Sequence, residues 1–154
     1  MVTQKHKNYQ KENTGVSSRA EEAIAPYHAL IGNPHAQLKV IRNGLPAKAL
    51  TDMIFLSGSS QADVAIMLRM SEKTLRSYIK EEKKLDMGVS EHLLQLFELF
   101  NKGIEVIGSL DEFKKWLQNS NIGLAVKPFN LLDSLTGIEL VQEELIRIEF
   151  GALA

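Results

Sequence analysis

The stretch "SEHLLQLFELFNKGIEVIG", residues 90–108, constrains the fold more than any other part of the chain. Leu93, Phe97, Phe100, Ile104 and Ile107 recur at alternating steps of four and three. That spacing gathers them on one face of a helix but would scatter them over both faces of a strand. No comparable run alternates with period two, so the sequence predicts an all-α fold. Gln95 and Glu98 interrupt the apolar run, which is far too short to span a bilayer. The stripe is either internal core or the seam of a homodimer.

Helix-start signals support the same class. Ser18 and Glu21, Ser109 and Glu112, and Thr136 and Glu139 each have the spacing in which a hydroxyl and a carboxylate satisfy orphan amides at a helix N-terminus. The main breaks fall at Gly44-Leu45-Pro46, Leu56-Ser57-Gly58-Ser59 and residues 119–128.

Charge divides the chain where hydropathy does not. The formal net charge of −1 conceals a first half, residues 1–85, with 13 basic and 8 acidic side chains, and a second half with 5 and 11. A basic half followed by an acidic half implies partners of different character, one of them nucleic acid. The expected organisation is a disordered basic arm at 1–17, a helical DNA-binding domain at 18–85 and a second small helical domain at 86–154. The chain has no cysteine, and its four histidines show no helical metal-ligand spacing. No cofactor, metal or enzymatic constellation is expected. The N-terminus lacks the apolar run of a signal peptide, so the expected location is cytoplasmic.

Residues 59–84, "SSQADVAIMLRMSEKTLRSYIKEEKK", read as two short helices at a steep angle. Ser60 caps the first, which turns Val64, Ala65 and Leu68 inward. A turn at Arg69-Met70-Ser71 leads to the second, capped by Ser71, with Leu75 and Ile79 inward. This is the order of a helix-turn-helix, whose second helix enters the major groove. Lys73, Thr74, Arg76, Ser77 and Lys80 face outward as DNA contacts, and Ser60 and Gln61 are placed to meet phosphate. An ordinary helical hairpin with charged outer faces is the plainer reading.

The last helix carries two apolar stripes. Ile138, Val141, Leu145 and Ile148 form one; Ile146, Phe150 and Leu153 form a second, roughly 125° around at 100° per residue. One stripe suffices to dock a helix on its own domain. The second is either buried as well or offered to a partner.

Both segments resemble a known family. "SQADVAIMLRMSEKTLRSYIKEEKKLD" is similar to the Xre-type helix-turn-helix, except that Arg69 stands where glycine usually does. "SEHLLQLFELFNKGIEVIG", "FKKWL" and "KPFNLLDSLTGIELVQEELIRIEFGALA" resemble the C-terminal domain of Xre/MbcA/ParS-type antitoxins, with Ala125-Val126 in place of a frequent glycine pair. The resemblance implies a dimeric antitoxin that neutralises a RES-domain, NAD-consuming toxin and represses its own operon by binding operator DNA. Ile146, Arg147, Glu149, Phe150, Gly151, Leu153 and Ala154 would then contact the toxin, while Trp116 anchors the domain by packing. The alternative is a stand-alone transcriptional regulator whose C-terminal half only dimerises or senses a small molecule.

Overall fold

The computed structural model describes residues 18–151, and every described element is helical. The basic arm expected at 1–17, and Leu153 and Ala154, lie outside the described residues. Helix α1 (residues 18–24) runs into a 3-10 turn at Ala25–Tyr27. It is followed by α2 (Pro34–Asn43), α3 (Lys48–Ser57), α4 (Gln61–Met67) and α5 (Glu72–Glu81). Then come α6 (Met87–Ile107), α7 (Leu110–Gln118), a 3-10 turn (Pro128–Leu131) and α8 (Leu135–Gly151).

Helix α6 is the axis of the molecule and packs against α2, α3, α7 and α8. Leu93, Phe97 and Phe100 have no exposed surface. Tyr27 stacks on Phe97 with ring centroids 3.7 Å apart, and Phe113 meets Phe100 edge-on at 5.2 Å. The Leu93–Phe100 part of the stripe is therefore core, while Ile104 and Ile107 at its far end are half-buried. Sequence period alone could not decide this, because core and seam share one pattern.

Helix α7 reaches α6 only because Gly103 is glycine: a Cβ there would lie 2.2 Å from the Phe113 ring. Trp116 stacks beside Phe113 at 5.9 Å and stays half-buried, which fits the packing role expected of it. Buried polar groups are paired throughout the described residues. Tyr27 donates to Asp52 Oδ2 at 2.7 Å, and Lys48 Nζ closes on the same carboxylate at 2.9 Å. Burial, reinforced by the Asp52 carboxylate, raises the Tyr27 phenol far above its ordinary value.

The halves expected to part at 85/86 share one continuous core that runs from Ala20 to Leu145. The loop before α6 is tied back to the start of the bundle, with Leu85 N donating to Leu45 O and Leu45 N to Ser90 Oγ, both at 2.9 Å. Ser109 caps α7 as its spacing predicts, accepting from Glu112 N at 3.1 Å. Thr136 does not cap α8. Ser134 accepts from Gly137 N at 2.9 Å, so the helix begins at Leu135. Ser134 immediately precedes Leu135, which places its hydroxyl over the first free amides of the helix.

Candidate functional site

Two surfaces on opposite halves of the chain carry the residues singled out by the sequence. The first is built by α4 and α5. Ser60 caps α4, accepting from Asp63 N at 3.1 Å, and Ser71 caps α5, accepting from Thr74 N at 3.0 Å. Val64, Ala65, Leu68 and Leu75 are buried, and Ile79 packs half-buried beside them. Ala65 leaves room for the close crossing. Arg69 makes the turn in the left-handed region, φ 56°, a conformation that costs a non-glycine residue about 1–2 kcal/mol. The chain thus makes the turn at the expected place without the usual glycine.

Lys73, Thr74, Arg76 and Lys80 project into solvent from α5, with Ser77 half-buried among them. Arg76 Nη2 pairs with Glu72 at 2.7 Å, one turn back. Ser60 Oγ donates to the Asp63 carboxylate at 2.8 Å, so its hydroxyl already has a partner and a negative charge beside it. Gln61 remains the exposed neutral donor at that end.

Two residues the sequence reading missed complete this face. Glu82, left-handed at φ 49°, folds the chain back so that Lys83 N donates to Tyr78 O at 3.2 Å. The fold-back encloses an open hollow of about 510 Å³ lined by Lys73, Thr74, Ser77, Tyr78 and Lys83. Two ammonium groups and three hydroxyls can donate to a phosphate there, although Ser77 Oγ already donates to Glu81 Oε1 at 3.3 Å. Lys83 also pairs with Glu81, which flanks the hollow. A run of charge such as "KEEKK" hid the arrangement, since nothing local marks Glu82 for a left-handed turn.

The second surface is α8. Ile138, Val141 and Leu145 are buried with Ile148 half-buried, as the first stripe requires. Phe150 lies nine residues beyond Val141, roughly half a turn around at 100° per residue, and is 66% exposed. Ile146 is 43% exposed and Leu135 shares its face. Among the described residues the second stripe, Ile146 and Phe150, is exposed.

The charged residues between these positions are engaged within the chain. Arg147 Nε donates to Glu144 Oε2 at 2.9 Å and Nη2 to Oε1 at 2.5 Å. The guanidinium holds the Glu144 carboxyl below the usual carboxylate range, with help from Asn121, against the opposing effect of burial. Glu149 pairs with Lys102 of α6 at 2.7 Å and raises the lysine above its ordinary value. Gly151 is still helical and is the last described residue.

His92 of α6 is buried, with Nε2 2.7 Å from Leu132 O, so the neutral ring carries its proton on Nε2. Burial lowers its affinity for a second proton, with nearby Arg69 acting in the same direction. Among the described residues no group of histidines and carboxylates could hold a metal ion, and no helix is long and apolar enough to cross a membrane.

Comparison with known families places each surface in a recognised domain. Residues 36–98 match the antitoxin Xre-like helix-turn-helix domain. Residues 95–151 match the antitoxin Xre/MbcA/ParS C-terminal toxin-binding domain. The two matches overlap inside α6, at residues 95–98. No curated protein matches the sequence.

Proposed function

The chain belongs to the Xre/MbcA/ParS family of antitoxins, and on that premise we propose that it blocks a RES-domain toxin that consumes NAD. The uncovered stripe of α8 carries this reading: Ile146 and Phe150 stand in water on the side of the helix turned away from its own core. Inhibition is steric. Phe150 fills an apolar recess beside the toxin's active-site cleft, flanked by Ile146 and Gly151, with Leu153 and Ala154 continuing into it. Burying a side chain of this size contributes about 1.5–3 kcal/mol, and such buried aromatics are the usual interface hot spots. Arg147 and Glu149 orient the contact more than they strengthen it, since each would exchange an internal ion pair for an external one.

The same cytoplasmic protein represses its own operon as a homodimer, because recognition by such helix pairs uses two half-sites. Arg76 leaves Glu72 to read a base edge, Lys73 and Lys80 meet the backbone, and the Tyr78–Lys83 hollow seats one phosphate. Neither matched domain belongs to an enzymatic family, and the chain's own activity is binding.

The test is co-expression with the product of the adjacent reading frame. That product alone should arrest growth and deplete NAD, and the antitoxin should restore both. Arrest without NAD loss would overturn the RES assignment. A neighbour with no toxicity, together with intact operator binding, would favour the stand-alone regulator.

A further inference from the structure

Among the described residues nine large hydrophobic side chains are exposed, and six of them, Ile122, Val126, Leu135, Leu140, Ile146 and Phe150, lie between 122 and 150. Four sit on α8. The other two belong to the loop 119–127, which joins α7 to the 3-10 turn. Ile122 at its tip is 101% exposed and touches nothing in its own chain.

The loop is nevertheless held in one shape. Asn121 N donates to Val126 O at 3.1 Å, and Leu124 N to Asn121 Oδ1 at 3.0 Å. Ala125 adopts a left-handed backbone, φ 61°, which is costly for a residue with a Cβ. Leu124 packs against the core and Pro128 is buried. The loop also rests on α8: a Cβ on Gly123 would stand 2.7 Å from Glu144 Oε2, and Asn121 helps to lower the same carboxyl below its usual range. At 100° per residue, Leu140 and Arg147 lie within about 60° of Glu144, on the side toward Phe150. Loop tip and helix stripe therefore border one face.

We propose that the loop 119–127 is a second, preformed arm of the toxin-binding face, and that Ile122 inserts into an apolar recess of the toxin. This rests on the proposed function of α8. Rigidity is the physical reason a partner benefits: an apolar tip fixed before binding loses little entropy on docking. The occupant is the toxin and not a second copy of this chain. Glu139 and Glu143 are exposed on the same face, and an isologous contact would set this acidic patch against itself. The face calls for a partner with an apolar recess and a basic rim.

The test titrates purified toxin of the same operon into full-length chains carrying Ile122→Asp, Asn121→Ala or Phe150→Ala. Ile122→Asp should weaken toxin binding at least tenfold, with DNA affinity and helical content unchanged. Asn121→Ala, which leaves Ile122 in place but frees the loop, should weaken it less and chiefly by slowing association. Unchanged toxin affinity in Ile122→Asp, with Phe150→Ala defective, overturns the loop arm and leaves α8 as the binding element. Unchanged affinity in both Ile122→Asp and Phe150→Ala overturns both readings. A dimer that dissociates in Ile122→Asp while toxin affinity holds shows the occupant to be a second copy, which also overturns the proposal.

Discussion

The outer face of α8 rests directly on α6, and the outer face of α5 reaches the same core through α3 and α4, yet the two are built from opposite materials. On α5 the apolar side chains turn inward, and the outward positions are lysines, an arginine and hydroxyls, with Glu72 and Glu81 at the two ends of the helix. On α8 the inward stripe is also apolar, but Ile146 and Phe150 add apolar surface to a far side that also exposes Glu139, Glu143 and Arg147. A helix needs one apolar stripe to dock. The first surface therefore suits a polyanion, and the second suits a protein with a complementary recess. One core can serve both, because each chemistry is confined to side chains that point away from it.

Ionic strength should separate the two faces most widely. Each phosphate neutralised adds about 0.9 to the slope of log affinity against log salt. A dimer seating about six phosphates should lose roughly a thousandfold in DNA affinity between about 50 and 200 mM salt. Toxin affinity, resting chiefly on Ile146 and Phe150 with charge confined to the rim, should change far less, by no more than about tenfold over the same range. Equal slopes measured by fluorescence anisotropy would break the comparison.

Within the α5 face, Arg76→Ala should cost about 1–3 kcal/mol and relax preference at one base position. Lys80→Ala should weaken all duplexes alike and reduce the salt slope by about one. Glu72→Gln should sharpen the contrast by releasing Arg76 from its 2.7 Å ion pair. That pair is exposed and adds little to stability, so DNA affinity should rise with almost no change in melting temperature. A fall in affinity would show that Glu72 is itself a reader, accepting from cytosine.

Backbone strain offers a smaller test. Arg69 holds φ 56° in the turn between the two short helices. Arg69→Gly removes that strain but loosens the unfolded chain, for a net gain of roughly 0.5–1 kcal/mol by denaturant unfolding. A loss of stability would mean that the Arg69 side chain holds the turn through contacts stronger than the strain.

The smallest effect is a pH dependence. Burial holds the His92 value below the ordinary 6.5, so the unfolded chain binds the additional proton more readily than the folded one. Its contribution is full above about 6.5 and declines as pH falls toward the lower folded value. Stability measured between about pH 7 and pH 5 should fall more steeply in the natural chain than in His92→Gln. Parallel curves would show that His92 charges freely in the fold.

Much of this was legible where the rule is local. Ser60, Ser71 and Ser109 cap the helices that their spacing announced. Ala65 and Leu75 are buried because helical period fixes a face. Resemblance named the family, and the two family matches bear it out. Period could not say what covers a stripe, so the Leu93–Ile107 face read equally as core or seam until Tyr27 and Phe113 were seen against it. The Tyr78–Lys83 hollow and the Ile122 loop stayed hidden for a different reason. Each depends on a left-handed residue other than glycine, Glu82 and Ala125, and nothing in the identity of either residue announces it.

The central claim is that the outer face of α8 holds a toxin independently of the DNA face. Its most direct test is the toxin dissociation constant of an Ile146→Ala/Phe150→Ala chain, measured on a preparation whose DNA affinity is also known. Toxin binding should weaken by upwards of about 2 kcal/mol, roughly thirtyfold or more, while DNA affinity stays within twofold of the natural chain. Toxin binding as tight as that of the natural chain would contradict the account.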